Sequence, residues 1–185
     1  MFEIRAATPD DAAAIANIYA PFVATNAVSF ETEAPSTREM KTRITNTIGH
    51  YPWLVATAED GKTILGYSYA KQFKPGDAYR FAVETAVYGA GELAGKGIKR
   101  QLLGMLIATL TEQNFTQAIV TLTTPNDQLI QLYESMGFRR AGAYREIARK
   151  GGQWLDVGLW QRELADAGAT PDEPRPFSSV GVVRG

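Results

Sequence analysis

The most constraining feature of the chain is a strand-like segment that runs through a glycine-rich loop into a helix. Residues 81–88 alternate between two faces, with Glu84 on the face opposite Val83. Residues 89–97 are rich in glycine, and apolar residues then recur at helical spacing over residues 98–110. A strand that turns so sharply into a helix presents unpaired backbone N–H groups beside the helix N-terminus. The pattern therefore predicts a site for phosphate groups.

Strands and helices are mixed along the rest of the chain. Alternating or β-rich runs predict strands at 2–6, 53–58, 64–73, 118–122, 138–147 and 154–160. A capping box that starts at Ser36 predicts one helix, and short periodic segments predict others before residue 22 and at 127–136. This order predicts one α+β domain over residues 1–165. Residues 166–185 contain prolines and little periodicity, which predicts a C-terminal tail.

Composition excludes several classes of function. The 185 residues carry a net charge of −1, which disfavours a general nucleic-acid binder. The absence of cysteine and the single histidine, His50, exclude disulfides, thiolate chemistry and a histidine-rich metal site, so no metal is expected. No apolar run reaches the length of a membrane span, and the N-terminus lacks the pattern of a signal peptide. We therefore expect a cytoplasmic protein without a membrane or nucleic-acid partner.

Two known phosphate-binding loops compete for the glycine-rich segment. A P-loop requires Gly-x-x-x-x-Gly-Lys-Ser/Thr, but Ala90 replaces its first glycine and Gly97 its hydroxyl residue. Residues 94–99 instead resemble the Arg/Gln-x-x-Gly-x-Gly/Ala loop of the GCN5-related N-acetyltransferases (GNAT). They depart from that loop at its two ends, where Ala94 and Lys99 stand.

Further segments resemble one family in this superfamily, the phosphinothricin N-acetyltransferases. The similar segments occur in the family's order, at residues 4–11, 28–33, 51–56, 78–80, 83–88, 125–127 and 152–158. The resemblance implies the GNAT acyl-CoA N-acyltransferase fold, with a mixed, mostly antiparallel central sheet flanked by helices. It also implies transfer of acetyl from acetyl-CoA, as co-substrate, to the α-amino group of phosphinothricin, methionine sulfoximine or a similar glutamate or methionine analogue.

Three residues are expected to carry the chemistry. An α-ammonium group must lose a proton before it attacks a thioester, and Glu84 matches the family's glutamate general base. The backbone at Tyr88 is expected to stabilise the thioester oxygen where the strand separates from its neighbour. The hydroxyl of Tyr133, where many family members carry histidine, is expected to protonate the departing thiolate.

The resemblance also implies two sets of binding residues. Those expected to bind acetyl-CoA are Val87, Tyr88, Gly95, Lys96, Gly97, Ile98, Lys99, Arg100, Asn126 and Tyr133. Those expected to bind the acceptor are Phe30, Lys74, Tyr79 and Glu84. Gly76 stands where family members commonly carry arginine, which predicts weaker recognition of an anionic tail.

Two other functions fit the same sequence. The chain is also compatible with a GNAT enzyme that acetylates another small amine or a protein N-terminus, and with a non-catalytic acyl-CoA-binding protein. The presence of Glu84, Asn126 and Tyr133 argues against the non-catalytic alternative. The resemblance further implies a homodimer with each active site near the subunit interface, and the tail is expected to pack on its own domain or on a partner.

Overall fold

In the computed structural model, residues 1–25, 28–91, 95–166 and 170–184 are described here. Within these ranges the strands form one sheet of seven, in the spatial order β1-β2-β3-β4-β5-β7-β6. In chain order they are β1 (Phe2–Ala6), β2 (Trp53–Ala58), β3 (Ile64–Gln72), β4 (Ala82–Gly89), β5 (Gln117–Thr124), β6 (Arg139–Lys150) and β7 (Gln153–Glu163). All neighbouring strands are antiparallel except β4 and β5, which are parallel. The expected mixed, mostly antiparallel α+β fold is confirmed.

The helices are α1 (Ala12–Ala24), α2 (Thr37–Thr47), α3 (Gly95–Glu112), α4 (Asp127–Ser135) and α5 (Phe177–Val180). The predicted capping box starts α2: the Glu39 amide donates to Ser36 Oγ (3.2 Å), and the Ser36 amide donates to Glu39 Oε2 (2.7 Å). Two unsatisfied amides at the helix N-terminus are thereby paired.

The two faces of the sheet bury separate hydrophobic clusters because side chains alternate along each strand. Helix α3 covers one face, where Leu102 and Leu106 are fully buried against strand residues such as Leu54. Helices α1 and α2 cover the other face, where Ile15 and Ile44 are fully buried. The sheet is therefore the layer between two helical layers, and a ligand that reaches from one face to the other must pass between strands.

Such a passage exists between β4 and β5. Their pairing covers only Ala82 to Glu84 on β4, opposite Gln117 to Ile119 on β5. Both strands continue beyond those residues, β4 to Gly89 and β5 to Thr124. The two parallel strands therefore diverge after Glu84, and we call the resulting gap the cleft.

The C-terminal tail packs against the end of α3 that lies away from the cleft. Phe177 is buried in the cluster on the α3 face. The Gln113 side-chain amide donates to the carbonyls of His50 (2.9 Å) and Arg175 (2.8 Å). The described part of the tail thus packs on its own domain, while a domain boundary at residue 165 stays a prediction.

Candidate active site

A cavity of about 580 Å³ crosses the sheet at the cleft. On one side it is lined by residues such as Leu129 and Tyr133 of α4, and we call this side the α4 half. On the other side it is lined by residues such as Tyr19 of α1 and Phe30, and we call this side the α1 half. Two ligands that enter from opposite faces of the sheet could therefore meet between β4 and β5.

Glu84 lies at the point where β4 and β5 diverge. The Thr121 hydroxyl on β5 donates to Glu84 Oε1 (3.0 Å), and the Lys71 ammonium on β3 lies 3.4 Å from Oε2. Each carboxylate oxygen is therefore held by a different strand. The side chain retains 24% exposure, so it is in contact with the cavity rather than sealed in the core.

The register of β3 and β4 determines which backbone amides face the cleft. The Ala90 amide donates to the Leu65 carbonyl on β3, and the regular pairing continues through Tyr88 opposite Tyr67. Because amide directions alternate along a strand, the Tyr88 N–H also points to β3, whereas the Val87 N–H points to the cleft. The expectation that the Tyr88 backbone donates to the reacting oxygen is therefore wrong by one residue.

The Tyr88 side chain remains part of the site. Its ring lines the cavity and packs 5.2 Å from the rings of Tyr19, Phe22 and Tyr67. Burial raises the pKa of the Tyr88 hydroxyl well above its ordinary value, so the group stays neutral at physiological pH. Tyr88 therefore shapes the cavity wall beside the cleft.

Two polar groups beside the cleft make no hydrogen bond of ordinary geometry with the described residues, although the Thr85 side chain lies close to the second of them. They are the Asn126 side-chain nitrogen and the Tyr133 hydroxyl, both buried. Burial also raises the pKa of Tyr133, so its hydroxyl keeps its proton. Because a buried polar group without a partner is costly, these two atoms fit a site that a polar ligand completes. Both residues were expected to contact acetyl-CoA.

The N-terminus of α3 contains the other residues expected to bind acetyl-CoA. Gly95 and Lys96 begin the helix, but the Lys96 side chain lies outside the described residues, as do residues 92–94. Gly97 is exposed, whereas Ile98 is 5% exposed and packs into the core. Ile98 can therefore offer a ligand only its backbone, while the side chain of Lys99, on the same turn, is partly exposed.

A hydrogen-bonded network occupies the α1 half. The Arg43 guanidinium forms two bonds to the Glu31 carboxylate (2.6 and 3.0 Å), and the Tyr19 hydroxyl donates to the same carboxylate (2.5 Å). Arg43 lowers the pKa of Glu31 below its ordinary value, and burial raises the pKa of Tyr19 to about 12. The Ser29 hydroxyl lies 2.6 Å from the Tyr19 hydroxyl and accepts the Glu31 amide (3.1 Å).

A buried lysine connects this network to the far edge of the sheet. Lys150, at the end of β6, is 8% exposed, and its ammonium donates to the Ser29 carbonyl (2.7 Å). Burial lowers the pKa of Lys150 from its ordinary value. The short segment that carries Phe30 and Glu31 into the cavity is thus held from α1, α2 and β6 at once.

Not all residues expected to bind the acceptor lie in the cavity. Phe30 and Glu84 line it, whereas Lys74 and Tyr79 do not appear among its described lining residues. The Lys74 ammonium instead lies 5.9 Å from the centre of the Tyr79 ring, and Tyr79 is 44% exposed. Lys74 and Tyr79 thus lie next to each other but outside the cavity that contains Glu84. Their part in acceptor binding stays a prediction.

The backbone conformation of Gly76 limits which residues can replace it. Its φ angle is 109°, a conformation that side-chain-bearing residues rarely adopt. The guanidinium of nearby Arg80 forms two 2.8 Å bonds to Glu173, so Glu173 would compete with an anionic tail for Arg80. A substitution of Gly76 by arginine would strain the backbone in addition to adding charge.

Sequence reasoning missed the Tyr19–Glu31–Arg43 network and Lys150. Glu31 falls in a segment that resembles the family, but no spacing relates it to Arg43 or to Lys150.

The described residues contain no cluster of three or more histidine or acidic side chains that could hold a metal ion. Within the same ranges, no helix is long and apolar enough to cross a bilayer.

Comparison with known proteins places this geometry among acetyltransferases. A family profile described as an acetyltransferase (GNAT) domain matches residues 4–159. A phosphinothricin N-acetyltransferase of Alcaligenes faecalis is 38% identical over 169 residues, which cover 90% of this chain and 84% of that protein. An L-methionine sulfoximine/L-methionine sulfone acetyltransferase of Pseudomonas aeruginosa is 31% identical over 121 residues, or 65% of this chain and 70% of that protein.

A solved structure has the same fold over nearly the whole chain. It is a GNAT superfamily phosphinothricin acetyltransferase from Sinorhizobium meliloti in complex with acetyl-CoA, with a TM-score of 0.88 and 34% sequence identity. The superposition covers 93% of this chain and 94% of that one.

Proposed function

The chain belongs to the GNAT acetyltransferase family, and we propose that it acetylates the α-amino group of a small amino-acid analogue such as methionine sulfoximine or phosphinothricin. It is an acetyl-CoA-dependent N-acetyltransferase. The observation that carries the proposal is the cleft itself. One cavity joins Glu84 to the unpartnered Tyr133 hydroxyl through the gap between β4 and β5.

Glu84 is the proposed general base. Its carboxylate lies in the cavity and is oriented by the Thr121 hydroxyl and the Lys71 ammonium, one on each oxygen. A carboxylate held in this way can take the proton from an α-ammonium, directly or through one water, and the free amine then attacks.

The α4 half is the proposed binding region for acetyl-CoA, which supplies an activated acetyl group. The Val87 amide points into the cleft, where it can donate to an oxygen that gains negative charge. Burial raises the pKa of the Tyr133 hydroxyl, so it keeps its proton and can donate a hydrogen bond that stabilises a departing thiolate. The Asn126 side-chain nitrogen supplies a further donor.

The α1 half is the proposed binding region for the acceptor, and its charges favour a neutral tail. Its two described cations are already paired, Arg43 with Glu31 and Lys71 with Glu84. The remaining lining is largely aromatic, with Trp53 and Tyr69 stacked 4.3 Å apart. We therefore expect methionine sulfoximine and methionine sulfone to be acetylated more efficiently than phosphinothricin, whose tail is anionic.

The test is an assay of thiol release. The protein is incubated with acetyl-CoA and, separately, with methionine sulfoximine, methionine sulfone, phosphinothricin, other amino acids and an N-terminal peptide. Release that depends on a free α-amino group and is greatest with the neutral analogues supports the proposal. Release only with the peptide, or with none of these acceptors, contradicts it.

We also propose a homodimer that uses the β6–β7 face. Large hydrophobic side chains are exposed there, at Tyr144 (51%), Ile147 (60%) and Trp154 (59%). A second copy of the chain would cover them, since monomers rarely leave such patches in water. Light scattering should give a dimer for the wild type and a monomer for Ile147→Ser/Trp154→Ser, and a monomeric wild type at micromolar concentration would contradict the proposal.

The cytoplasmic location of the protein also stays a prediction.

A further inference from the structure

A lysine that the family resemblance does not imply lies beside the proposed general base. Lys71 is directly opposite Glu84 in the register of β3 and β4, and its ammonium is 3.4 Å from Glu84 Oε2. Both side chains line the cavity. The resemblance implies Lys74 as the cation of the acceptor site, but Lys74 is not among the described lining residues. The cavity therefore offers the acceptor a different cation from the expected one.

Lys71 is also the lining cation that is available to a ligand. The other cation among the described lining residues is Arg43, which directs two of its nitrogens at Glu31 (2.6 and 3.0 Å). An ammonium has three N–H donors, and the Lys71 side chain is 51% exposed beside Glu84. Arg43, and more weakly Lys71, lower the pKa of Glu31, so the charge of Lys71 also acts in the α1 half. Lys71 can thus bind an anionic group while the Arg43–Glu31 pair stays intact.

The Lys71–Glu84 pair is complementary to the head group of a free α-amino acid. That head group carries an ammonium and a carboxylate on one carbon, with the nitrogen about 2.5 Å from the carboxyl carbon. The Lys71 nitrogen and Glu84 Oε2 present the opposite charges on a similar scale, 3.4 Å apart. With the ammonium at Glu84, where β4 and β5 diverge, the carboxylate lies toward β3 and Lys71. The tail is then left to the aromatic lining of the α1 half.

We propose that Lys71 binds the α-carboxylate of the acceptor and so restricts the enzyme to free amino acids. The carboxylate takes the place of Glu84 Oε2 at the ammonium of Lys71. Oε2 then accepts a proton from the α-ammonium, while the Thr121 hydroxyl stays on Oε1. An amine or a peptide N-terminus has no carboxylate on the same carbon and leaves the Lys71–Glu84 pair in place. The inference rests on the proposed function, to which it adds a physical reason for the substrate class.

The test compares L-methionine sulfone with its α-carboxamide, which lacks the negative charge. The measured quantity is the ratio of kcat/KM for the acid to kcat/KM for the amide, compared between variants, so that the different basicity of the two amines cancels. Lys71→Met should lower this ratio about tenfold, the order expected for a hydrogen bond to a charged group. The fall should come from a higher KM for the acid. Lys71→Gln should show the same fall.

Two further variants complete the comparison. Lys71→Arg keeps the charge and should retain most of the ratio. Lys62→Met is the matched control, because Lys62 is exposed and lies outside the cavity, and its ratio should equal that of the wild type. Thermal melting verifies that each variant is folded.

An unchanged ratio in Lys71→Met and Lys71→Gln would overturn the inference. A loss of kcat by the same factor with both acceptors would show that Lys71 acts only through Glu84. In either case the wild type still acetylates the amino acid, so the proposed function would survive. Absence of thiol release by the wild type with both acceptors would instead contradict the proposed function together with this inference.

Discussion

The two halves of the cavity are built from different kinds of contact. The α4 half is lined by the buried Tyr133 hydroxyl, and the N-terminus of α3 and the buried Asn126 nitrogen are expected to extend it. The α1 half is a closed side-chain network in which Arg43, Glu31 and Tyr19 already satisfy one another. The α4 half therefore has polar groups that only a ligand can pair, whereas the shape of the α1 half depends on side chains that substitutions can change.

The largest effect is expected from removal of one backbone donor in the α4 half. Replacement of Val87 by its α-hydroxy acid analogue converts the amide to an ester without an N–H, and kcat should fall by about two to three orders of magnitude. The same replacement at Tyr88 is the control. Because the Tyr88 amide faces β3, its loss should lower thermal stability and leave kcat within a few-fold. The reverse pattern would show that the assignment of amide directions is wrong.

Glu84→Gln should lower kcat by about a hundredfold at neutral pH, the usual share of general-base catalysis. The deficit should shrink as pH rises, because the free amine then needs no base. Glu33→Gln makes the same change at an exposed glutamate outside the cavity and should leave kcat unchanged. If the kcat of Glu84→Gln stayed within twofold of the wild-type value, Glu84 would not be the general base.

The contrast between the halves also explains which residues the sequence could predict. The resemblance of short segments to a known family placed Glu84 and Tyr133 in one site, and both line the cavity. Lys150 is separated from Ser29 by 121 residues, and only the folded sheet brings them together. Such a contact leaves no periodic signal in the sequence.

The assignment to Tyr88 failed for another physical reason. Alternation along a strand shows which side chains share a face, but the direction of an amide depends on which neighbouring strand it pairs with. That partner was not specified by the pattern of residues 81–88. The Ala90–Leu65 hydrogen bond gives the direction of the Tyr88 amide and leaves Val87 as the amide that faces the cleft.

Lys150→Met tests whether the α1 half is held from the far edge of the sheet. Loss of the ammonium releases the Ser29 carbonyl, so the KM for the acceptor should rise about tenfold, the order expected for a hydrogen bond to a charged group. The KM for acetyl-CoA should not change. Lys150→Arg should restore part of the lost affinity, and Arg149→Met, at the exposed neighbour, should have no effect. A uniform loss of kcat with both KM values unchanged would argue against a positioning role.

Lys99→Glu makes the smallest expected change, on the α4 side. The partly exposed lysine lies near the N-terminus of α3, so reversal of its charge should raise the KM for acetyl-CoA by about threefold to tenfold. The effect should weaken as salt is added, because exposed charges are screened. Lys62→Glu, in the β2–β3 turn, provides the same charge reversal away from the site. Equal effects of Lys99→Glu and Lys62→Glu would mean that only net charge matters.

We propose that each face of the sheet serves one substrate and that the two substrates meet only at the cleft. The most direct test measures both KM values, for acetyl-CoA and for the preferred acceptor, in Lys99→Glu, in Lys150→Met and in the double variant. We predict that Lys99→Glu raises only the acetyl-CoA value, that Lys150→Met raises only the acceptor value, and that the double variant shows both changes added as free energies. If either single variant raised both values equally, the division of the cavity between the two faces would be wrong.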